Sequence, residues 1–343
     1  MKTFYSPIHR DHAPPLEFER GRLAPAVEVP ARVENVRAEV ERRKLGPILA
    51  PADFGMAPIA RVHDAGLVTF LGEASALWRK AYGEEAPPAL PSAWPARGMR
   101  SRFDGDVEAR LGAYSFDTAT GIVKGTWPAA LAAVNAALAA AQTVAGGERA
   151  AFALARPPGH HAAADVFGGY CYLNNIAIAA QWLCDKGLRL AILDVDYHHG
   201  NGTQSIFYGR ADVLFVSLHG DPVFAYPHFL GFADETGAGA GAGANLNLPL
   251  PMYTAWDGYA AALDIALKRI SAFGPDVLLV SLGLDTFEAD PISRFRLRAE
   301  DYLRLGETIA TLKLPTLFQF EGGYNLDALA AITVNVLEGF ESA

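Results

Sequence analysis

Four of the nine histidines stand in two tandem pairs, His160 with His161 and His198 with His199. Histidine binds metals and carries protons near neutral pH, so paired histidines indicate metal or acid–base chemistry. The second pair ends the run DVDYHH at 194–199, which follows an apolar stretch typical of a buried strand. We therefore expect chemistry at the end of that strand.

Asp194, Asp196 and His198 fall on one side of the chain if this strand persists, because side chains alternate along a strand. Asp285 ends another apolar run, SLGLD, and the carboxyl ends of parallel strands meet at one edge of a sheet. Two carboxylates and an imidazole suit Zn²⁺, so Asp196, His198 and Asp285 are predicted to bind it. Three protein ligands leave a coordination position for water, as in catalytic sites.

A structural interpretation of the same residues is that Asp196 and Asp285 cap helices while His198 packs in the core. Isolated caps do not require a whole cluster of ligand-type side chains, and such a cluster is costly at a strand end unless something binds it. The identity of the ion stays open, because Fe²⁺ and Co²⁺ accept the same ligands.

Two further motifs follow predicted strands. RPPGHH at 156–161 presents His160 and His161 on a turn stiffened by its prolines, where two imidazoles could share a proton transfer. EGGY at 321–324 lets the backbone turn sharply and aims the Tyr324 phenol inward, as a donor to a developing oxyanion. Alone, a GGY sequence is more often only a turn.

The elements that must position these residues alternate between short apolar strands and helices. The strands are predicted at 150–155, 190–196, 212–219, 276–283 and 315–323, and the helices at 126–145, 175–187, 253–273, 299–312 and 326–340. This alternation implies right-handed βαβ units. The predicted fold is a single α/β domain over 1–343, with a mostly parallel multistranded sheet and helices on both faces.

Two segments interrupt the alternation. Residues 84–106 contain four prolines and mixed charge, and are predicted to be a long loop or insertion. The stretch GAGAGAGAN at 237–245 loosely fits a dinucleotide fingerprint, but the NLNLPLP after it cannot open a phosphate-binding helix. It is therefore interpreted as a flexible loop.

The composition limits the partners. A net charge of −9, without a long run of Lys or Arg, disfavours nucleic acid and favours a small cationic molecule. The start of the chain lacks a signal-peptide core, and no run reaches the 18 or so apolar residues of a spanning helix. Cys171 and Cys184 match no zinc or disulfide framework. We expect a cytoplasmic protein that binds no membrane.

Six motifs together are far more specific than any one of them. They are RPPGHH (156–161), FGGYCYLNN (167–175), LDVDYHHGNGT (193–203), SLHGDP (217–222), SLGLDTFEADP (281–291) and EGGY (321–324). With them the chain resembles the histone deacetylase family of the arginase/deacetylase superfamily, and most of all its bacterial acetylpolyamine amidohydrolase branch. The resemblance covers nearly the whole chain.

This resemblance implies one catalytic zinc per chain on the ligands named above, with Tyr324 facing the substrate carbonyl. His160 and His161 match the catalytic pair, with His161 as general base and then acid and His160 as electrostatic helper. One departure is Asn201, where many relatives carry Asp. A neutral amide stabilises an imidazolium less than a carboxylate does, so His161 should titrate lower.

The resemblance also implies structural potassium. Asp194 would bind the ion and also hydrogen-bond the first histidine of the catalytic pair. The remaining ligands would be the Ser217 side chain and the backbone carbonyls of Asp196, His198 and Leu218. A second monovalent site is suggested near Phe207, Arg210 and Val213.

The substrate expected from the resemblance is a small N-acetylated polyamine or diamine. Tyr170 and Tyr226 match aromatic positions that line a narrow tunnel, although core packing explains them as well. Glu17, Glu108 and Asp117 lie in segments similar to those that attract a distal ammonium in the acetylpolyamine enzymes, although each could be a solvated surface charge. The insertion at 84–106 resembles the loop by which that branch forms homodimers and narrows its entrance.

Three other functions remain open. One is an acetyl-lysine protein or peptide deacetylase, and another is a non-catalytic ligand-binding member of the fold. The third is an arginase-type ureohydrolase with two manganese ions, for which the neighbourhood of His198 offers too few additional ligands.

Overall fold

Ten strands and ten α-helices form the regular structure of the described residues, 1–19, 21–101 and 103–343 of a computed structural model. The strands are β1 (Lys2–Phe4), β2 (Leu16–Glu19), β3 (Arg22–Pro25), β4 (Ile48–Leu49), β5 (Ala150–Ala153), β6 (Leu190–Asp194), β7 (Val213–Gly220), β8 (Asn245–Leu250), β9 (Val277–Leu282) and β10 (Thr316–Phe320). The helices are α1 (Ala31–Arg43), α2 (Ala57–Ala60), α3 (Ala65–Tyr82), α4 (Val107–Tyr114), α5 (Thr126–Ala145), α6 (Asn175–Cys184), α7 (Asn201–Phe207), α8 (Trp256–Phe273), α9 (Ala299–Ala310) and α10 (Leu329–Ser342).

Eight of the strands form one sheet in the order β4-β1-β5-β10-β9-β6-β7-β8. Every pairing in this sheet is parallel, whereas β2 and β3 form a separate antiparallel hairpin. Strands β5, β10, β9 and β6 are neighbours, so the motifs that follow them meet at one edge of the sheet.

Helices cover both faces of the sheet. Buried residues of α5 and α6 pack with those of β5, β6 and β9 on one face, and α1, α8, α9 and α10 pack on the other. The strands are buried on both faces, which explains their almost continuous apolar sequences. The predicted α/β class, single domain and two helical layers are confirmed.

All five predicted strands exist, although most are shorter than predicted. The run at 190–196 forms a strand only as far as Asp194, and the run at 315–323 only over Thr316–Phe320. Three strands of the sheet, β1, β4 and β8, were not among the predicted ones.

Among the described residues, α5 is long and apolar enough by composition to cross a membrane. Most of its side chains are buried, and they pack against β5 and α6. The apolar surface of α5 is therefore used inside the fold.

The two interrupting segments are irregular. Over 84–106 the described residues form turns and one isolated bridge, Ala89 to Ile122, while residue 102 lies outside the described residues. The glycine-rich segment forms a short 3-10 turn at Gly239–Gly241, and β8 begins at Asn245. The prediction of a loop ends one residue late there, because NLNLPL pairs with β7 as an edge strand.

Candidate active site

The ends of β6 and β9 bring three potential metal ligands together. Asp196, His198 and Asp285 are buried, and their ligand atoms all lie within 4.8 Å of one another. The Nδ1 atom of His198 lies 2.8 Å from Asp285 Oδ2 and 3.3 Å from Asp196 Oδ1. The structure thus brings the three predicted ligands into one group that could hold a metal ion.

The turn after β6 differs from the extended chain that the sequence suggested. Asp194 Oδ1 accepts a hydrogen bond from the Asp196 amide at 3.2 Å, and Asp196 Oδ1 accepts one from the His198 amide at 2.9 Å. These local bonds end the strand at Asp194, because aspartate oxygens replace ladder partners. The strand predicted at 190–196 thus ends two residues early and does not persist to His198, and Asp194 contacts His160.

Backbone amides hold the two carboxylates in place. Asp196 Oδ2 accepts a hydrogen bond from the Gly322 amide at 2.9 Å, and Asp285 Oδ1 accepts one from the Tyr197 amide at 2.8 Å. A Cβ at position 322 would lie 2.5 Å from Asp196 Oδ2 and 2.7 Å from Asp285 Oδ2. The first glycine of the GGY motif is therefore required by the close approach of the backbone to both carboxylates.

The electrostatics of this group favour a cation. Burial, together with the Asp196 charge, raises the pKa of Asp285 to about 7. Although burial opposes it, hydrogen bonds and charge from Asp196 and Asp285 raise the pKa of His198 to about 10. Two adjacent buried carboxylates are costly without a positive charge between them, and a divalent metal ion supplies one. The donor set fits such an ion.

The histidine pair lies beside this group. His160 Nδ1 lies 3.0 Å from Asp194 Oδ2, and His161 Nδ1 lies 2.7 Å from Asn201 Oδ1. The two imidazole centroids are 4.1 Å apart. Since both oxygens accept, each Nδ1 carries the proton, and the Nε2 atom of neutral His161 is left as an acceptor.

The two histidines differ in charge because their partners differ. Burial lowers the pKa of His161 far below its usual value, and the neighbouring His160 and His198 charges add to this effect. For His160, burial also lowers the pKa, but the Asp194 and Asp196 carboxylates outweigh it and raise the value to about 10. These shifts favour a neutral His161 and a positively charged His160 at neutral pH.

Tyr324 is held in place by two residues that the sequence did not indicate. Asp290 Oδ2 accepts a hydrogen bond from the Tyr324 amide at 2.7 Å. The Arg32 guanidinium stacks 4.6 Å from the Tyr324 ring centroid and donates to the Gly323 carbonyl at 2.6 Å. Burial raises the pKa of Tyr324 well above its usual value, so its hydroxyl stays a donor.

A cavity of about 300 Å³ opens onto these residues. Its lining is Glu17, Asp117, Ala119, His161, Gly169, Tyr170, Tyr197, His198, Phe224, Ala225, Tyr226, His228, Ile292, Arg294 and Tyr324. The Tyr226 ring lies edge-on to the His161 ring, with their centroids 5.1 Å apart, and the ring centroids of Tyr170 and Tyr324 are 5.6 Å apart. The two tyrosines suggested as tunnel residues thus lie beside His161 and Tyr324.

The three acidic residues suggested for substrate binding have different surroundings. Glu17 is buried in the cavity wall, where burial and its carboxylate raise the pKa of Tyr170. The Asp117 carboxylate accepts hydrogen bonds from the backbone amides of 119, 120 and 169 and from the Tyr226 hydroxyl. Glu108 is exposed on α4, accepts a hydrogen bond from Tyr82, and does not belong to the lining.

The residues suggested for potassium lie behind the histidine pair. Asp194 and Ser217 are buried and stand directly opposite each other on β6 and β7, with buried Leu218 next to them. In the second suggested group, the Arg210 amide donates to the Phe207 carbonyl at 3.0 Å, and Val213 begins β7. The roles of these residues as ion ligands stay predictions.

The comparison with protein families gives one clear result. Residues 26–340 match the model of the histone deacetylase domain, which is more than half of the chain.

Individual proteins match over almost their full length. The chain is 52% identical over 342 residues to acetylpolyamine amidohydrolase 2 of Pseudomonas aeruginosa, with 99% of each chain covered. It is 47% identical over 341 residues to the acetylpolyamine amidohydrolase of Mycoplana ramosa, again with 99% of each covered. The crystal structure of the acetylpolyamine aminohydrolase from Burkholderia pseudomallei superposes with a TM-score of 0.95 at 41% identity, covering 100% of this chain and 99% of that one.

Proposed function

The chain belongs to the histone deacetylase family and is a hydrolase of the deacetylase type, and from that premise we propose that it uses zinc to remove acetyl groups from small N-acetylated polyamines or diamines. The observation that carries the proposal is the convergence of the Asp196, His198 and Asp285 group with His161 and Tyr324 on one cavity.

Asp196, His198 and Asp285 would hold the zinc ion. When bound, zinc supplies a Lewis acid that polarises an amide carbonyl and makes water more acidic. Two carboxylates and one imidazole leave room in a four-coordinate shell for a further ligand. The donor set supports this assignment, and so does the need of the two adjacent buried carboxylates for a positive charge between them.

His161 would take the proton from the attacking water. Its Nδ1 proton is committed to Asn201, so the Nε2 lone pair is the basic site. After the attack, the same Nε2 would return the proton to the leaving amine nitrogen. His160, charged and paired with Asp194, would stabilise the negative charge that develops in the transition state.

Tyr324 would donate a hydrogen bond to the oxygen of the tetrahedral adduct. Its hydroxyl remains protonated at working pH, and its position is set by Asp290 from the backbone side and Arg32 from the ring side. An oxyanion donor that is fixed in advance needs no reorganisation during the reaction.

A small cationic substrate is supported by three observations. Relatives that match over their full length are named acetylpolyamine amidohydrolases. The cavity holds about 300 Å³, which suits an acetylated alkyl amine better than a folded protein surface. The buried carboxylate of Glu17 lies in the cavity wall, and the net charge of −9 attracts cations.

Three further assignments belong to the proposal. Asp194, Ser217 and the carbonyls of Asp196, His198 and Leu218 would hold a structural potassium ion. The chain would form a homodimer through the loop at 84–106, and it would act in the cytoplasm. The likeness of the motifs to the acetylpolyamine amidohydrolase branch supports the potassium site and the homodimer. The free thiols of Cys171 and Cys184 suit a reducing compartment such as the cytoplasm.

A substrate panel on protein of measured metal content tests the proposal. We expect one zinc per chain, and a higher kcat/KM for acetylputrescine, acetylcadaverine or acetylspermidine than for an acetyl-lysine peptide. Preference for the peptide would replace the substrate assignment with protein deacetylation. Two manganese ions per chain would favour a ureohydrolase, and zinc binding without turnover of any amide would favour a non-catalytic member.

A further inference from the structure

Residues 221–236 are the first part of the connection between β7 and β8, and they form one wall of the cavity. We call them the wall segment. Its first half carries Tyr226, whose ring lies edge-on to His161 at 5.1 Å. The Tyr226 hydroxyl donates to Asp117 Oδ2 at 2.8 Å. The position of this segment therefore sets the surroundings of the general base.

The second half of the wall segment is fixed by one carboxylate oxygen. Glu235 Oε2 accepts three hydrogen bonds, from Gln204 Nε2 at 2.7 Å, from the Gly231 amide at 2.8 Å and from Asn247 Nδ2 at 3.1 Å. All three donors are neutral groups. Glu235 thus joins the segment to itself, to α7 and to the edge strand β8.

Gln204 connects Glu235 to the turn after β6, residues 195–199, which we call the metal-ligand turn. Its Oε1 atom receives hydrogen bonds from His199 Nε2 at 2.9 Å and from Asn245 Nδ2 and Asn247 Nδ2 at 3.1 and 2.8 Å. His199 directly follows the metal ligand His198. The side-chain amide of Gln204 therefore links the metal-ligand turn to Glu235 through hydrogen bonds.

Gly231 is where the wall segment touches that turn. Its φ is +107°, and a Cβ there would lie 2.8 Å from His199 Cγ and 2.8 Å from His219 Nε2. Its carbonyl accepts from His219 Nε2 at 2.8 Å while its amide donates to Glu235. The backbone rests directly on two buried imidazoles, and Glu235 holds it there.

We propose that Glu235 is a positioning residue for the deacetylation reaction. It holds Gly231 against the metal-ligand turn, and because Gly231 and Tyr226 belong to the same wall segment, it thereby keeps the Tyr226 ring beside His161. The inference rests on the deacetylase activity of the chain and not on the polyamine assignment. It gives a role to a partly buried acid that contacts neither the metal ligands nor the cavity.

Three variants test it. Glu235→Ala removes all three acceptor bonds, Glu235→Gln keeps one oxygen that can accept them, and Asp234→Ala removes an exposed charge from the same segment. We expect Glu235→Ala to lower kcat/KM about tenfold, mostly through KM, a change equivalent to roughly 1.4 kcal/mol. Glu235→Gln and Asp234→Ala should stay within about twofold of the wild type.

The kinetics are measured well below the melting temperature, on whichever acetylated amine or acetyl-lysine peptide the wild type hydrolyses best. A wrong substrate class therefore leaves this test intact. If Glu235→Ala melts earlier but keeps the wild-type kcat and KM, Glu235 is only structural and the proposal fails. It also fails if Glu235→Gln is as impaired as Glu235→Ala, because the acceptor geometry would not be the cause.

Hydrogen exchange gives a readout that needs no substrate. Peptides covering residues 222–230 should exchange faster in Glu235→Ala than in the wild type, and at the wild-type rate in Glu235→Gln. Unchanged exchange of this segment in Glu235→Ala would contradict the proposed anchor.

Discussion

Asn201 illustrates how one neutral side chain defines the state of a catalytic residue. Its Oδ1 accepts the Nδ1 proton of His161 at 2.7 Å, which fixes the tautomer without adding negative charge. His160 has the same ring contact with the Asp194 carboxylate and a pKa raised to about 10. The difference between an amide and a carboxylate partner thus accounts for the opposite pKa shifts of the two histidines.

Replacing Tyr324 with Phe tests the oxyanion donor. The hydroxyl is the only group removed, so we expect kcat to fall by about 10²–10³-fold while metal content stays unchanged. Steady-state kinetics and metal analysis of the purified variant provide the measurement. Tyr253→Phe is the matched control, because Tyr253 is exposed and lies outside the cavity lining. Full activity in Tyr324→Phe would remove the phenol from the mechanism.

The group of potential metal ligands could be predicted from the sequence because their types and spacing are local to strand ends. Arg32 could not, because it contacts Gly323 from 291 residues away and belongs to no motif. Asp290 stands inside the motif SLGLDTFEADP, but nothing in that motif indicates that it would hold the Tyr324 amide. Residues that position catalytic groups from distant elements leave no pattern in the chain.

At the scale of elements, the register of the strands determines which side chains lie side by side in the sheet next to the site. Residues on five adjacent strands stand directly opposite one another and form a buried polar row: Gln319, Ser281, Asp194, Ser217 and Asn247. Each strand is predictable from its own apolar run. The row is not, because it depends on strand order and register, which no single strand determines. The edge strand β8 was missed for a related reason, since its short NLNLPL sequence follows a glycine-rich loop.

His63 joins the starts of two helices and should make stability depend on pH. Its Nε2 accepts the Asn174 amide at 2.9 Å, next to the N-terminus of α6, and burial lowers its pKa to about 4. The unfolded chain binds the proton near pH 6.5, so this stabilisation is complete above 6.5 and is lost as the pH falls toward 4. Linkage gives a loss of about 2 kcal/mol between pH 7.5 and 5.

His63→Gln removes this titration and keeps an acceptor for the Asn174 amide. The free energy of unfolding, measured by denaturant titration at pH 7.5 and 5, should fall less in the variant than in the wild type. Other buried histidines, such as His12 and His219, are common to both proteins and cancel in the difference. Equal losses in the two proteins would show that His63 is not responsible.

At the scale of the whole molecule, four neighbouring strands supply the site from separate parts of the chain. The ends of β5, β10, β9 and β6 carry the histidine pair, Tyr324 and the three potential metal ligands. Strand and helix alternation was enough to predict the class of this architecture. The order of the strands was not predictable, because the chain leaves β6, passes through β7 and β8, and returns to the other side of β6.

The net charge of −9 leads to a prediction about the whole enzyme. A negative protein raises the local concentration of cations, and salt screens this attraction over a Debye length of about 10 Å at 0.1 M. We therefore expect kcat/KM for acetylputrescine and acetylspermidine to fall several-fold between roughly 0.02 and 0.5 M NaCl, with the larger effect for the more highly charged substrate. A neutral N-alkylacetamide of similar length is the matched control and should respond little. Equal salt dependence for charged and neutral substrates would mean that salt acts on the protein itself, and that the negative surface does not select cationic substrates.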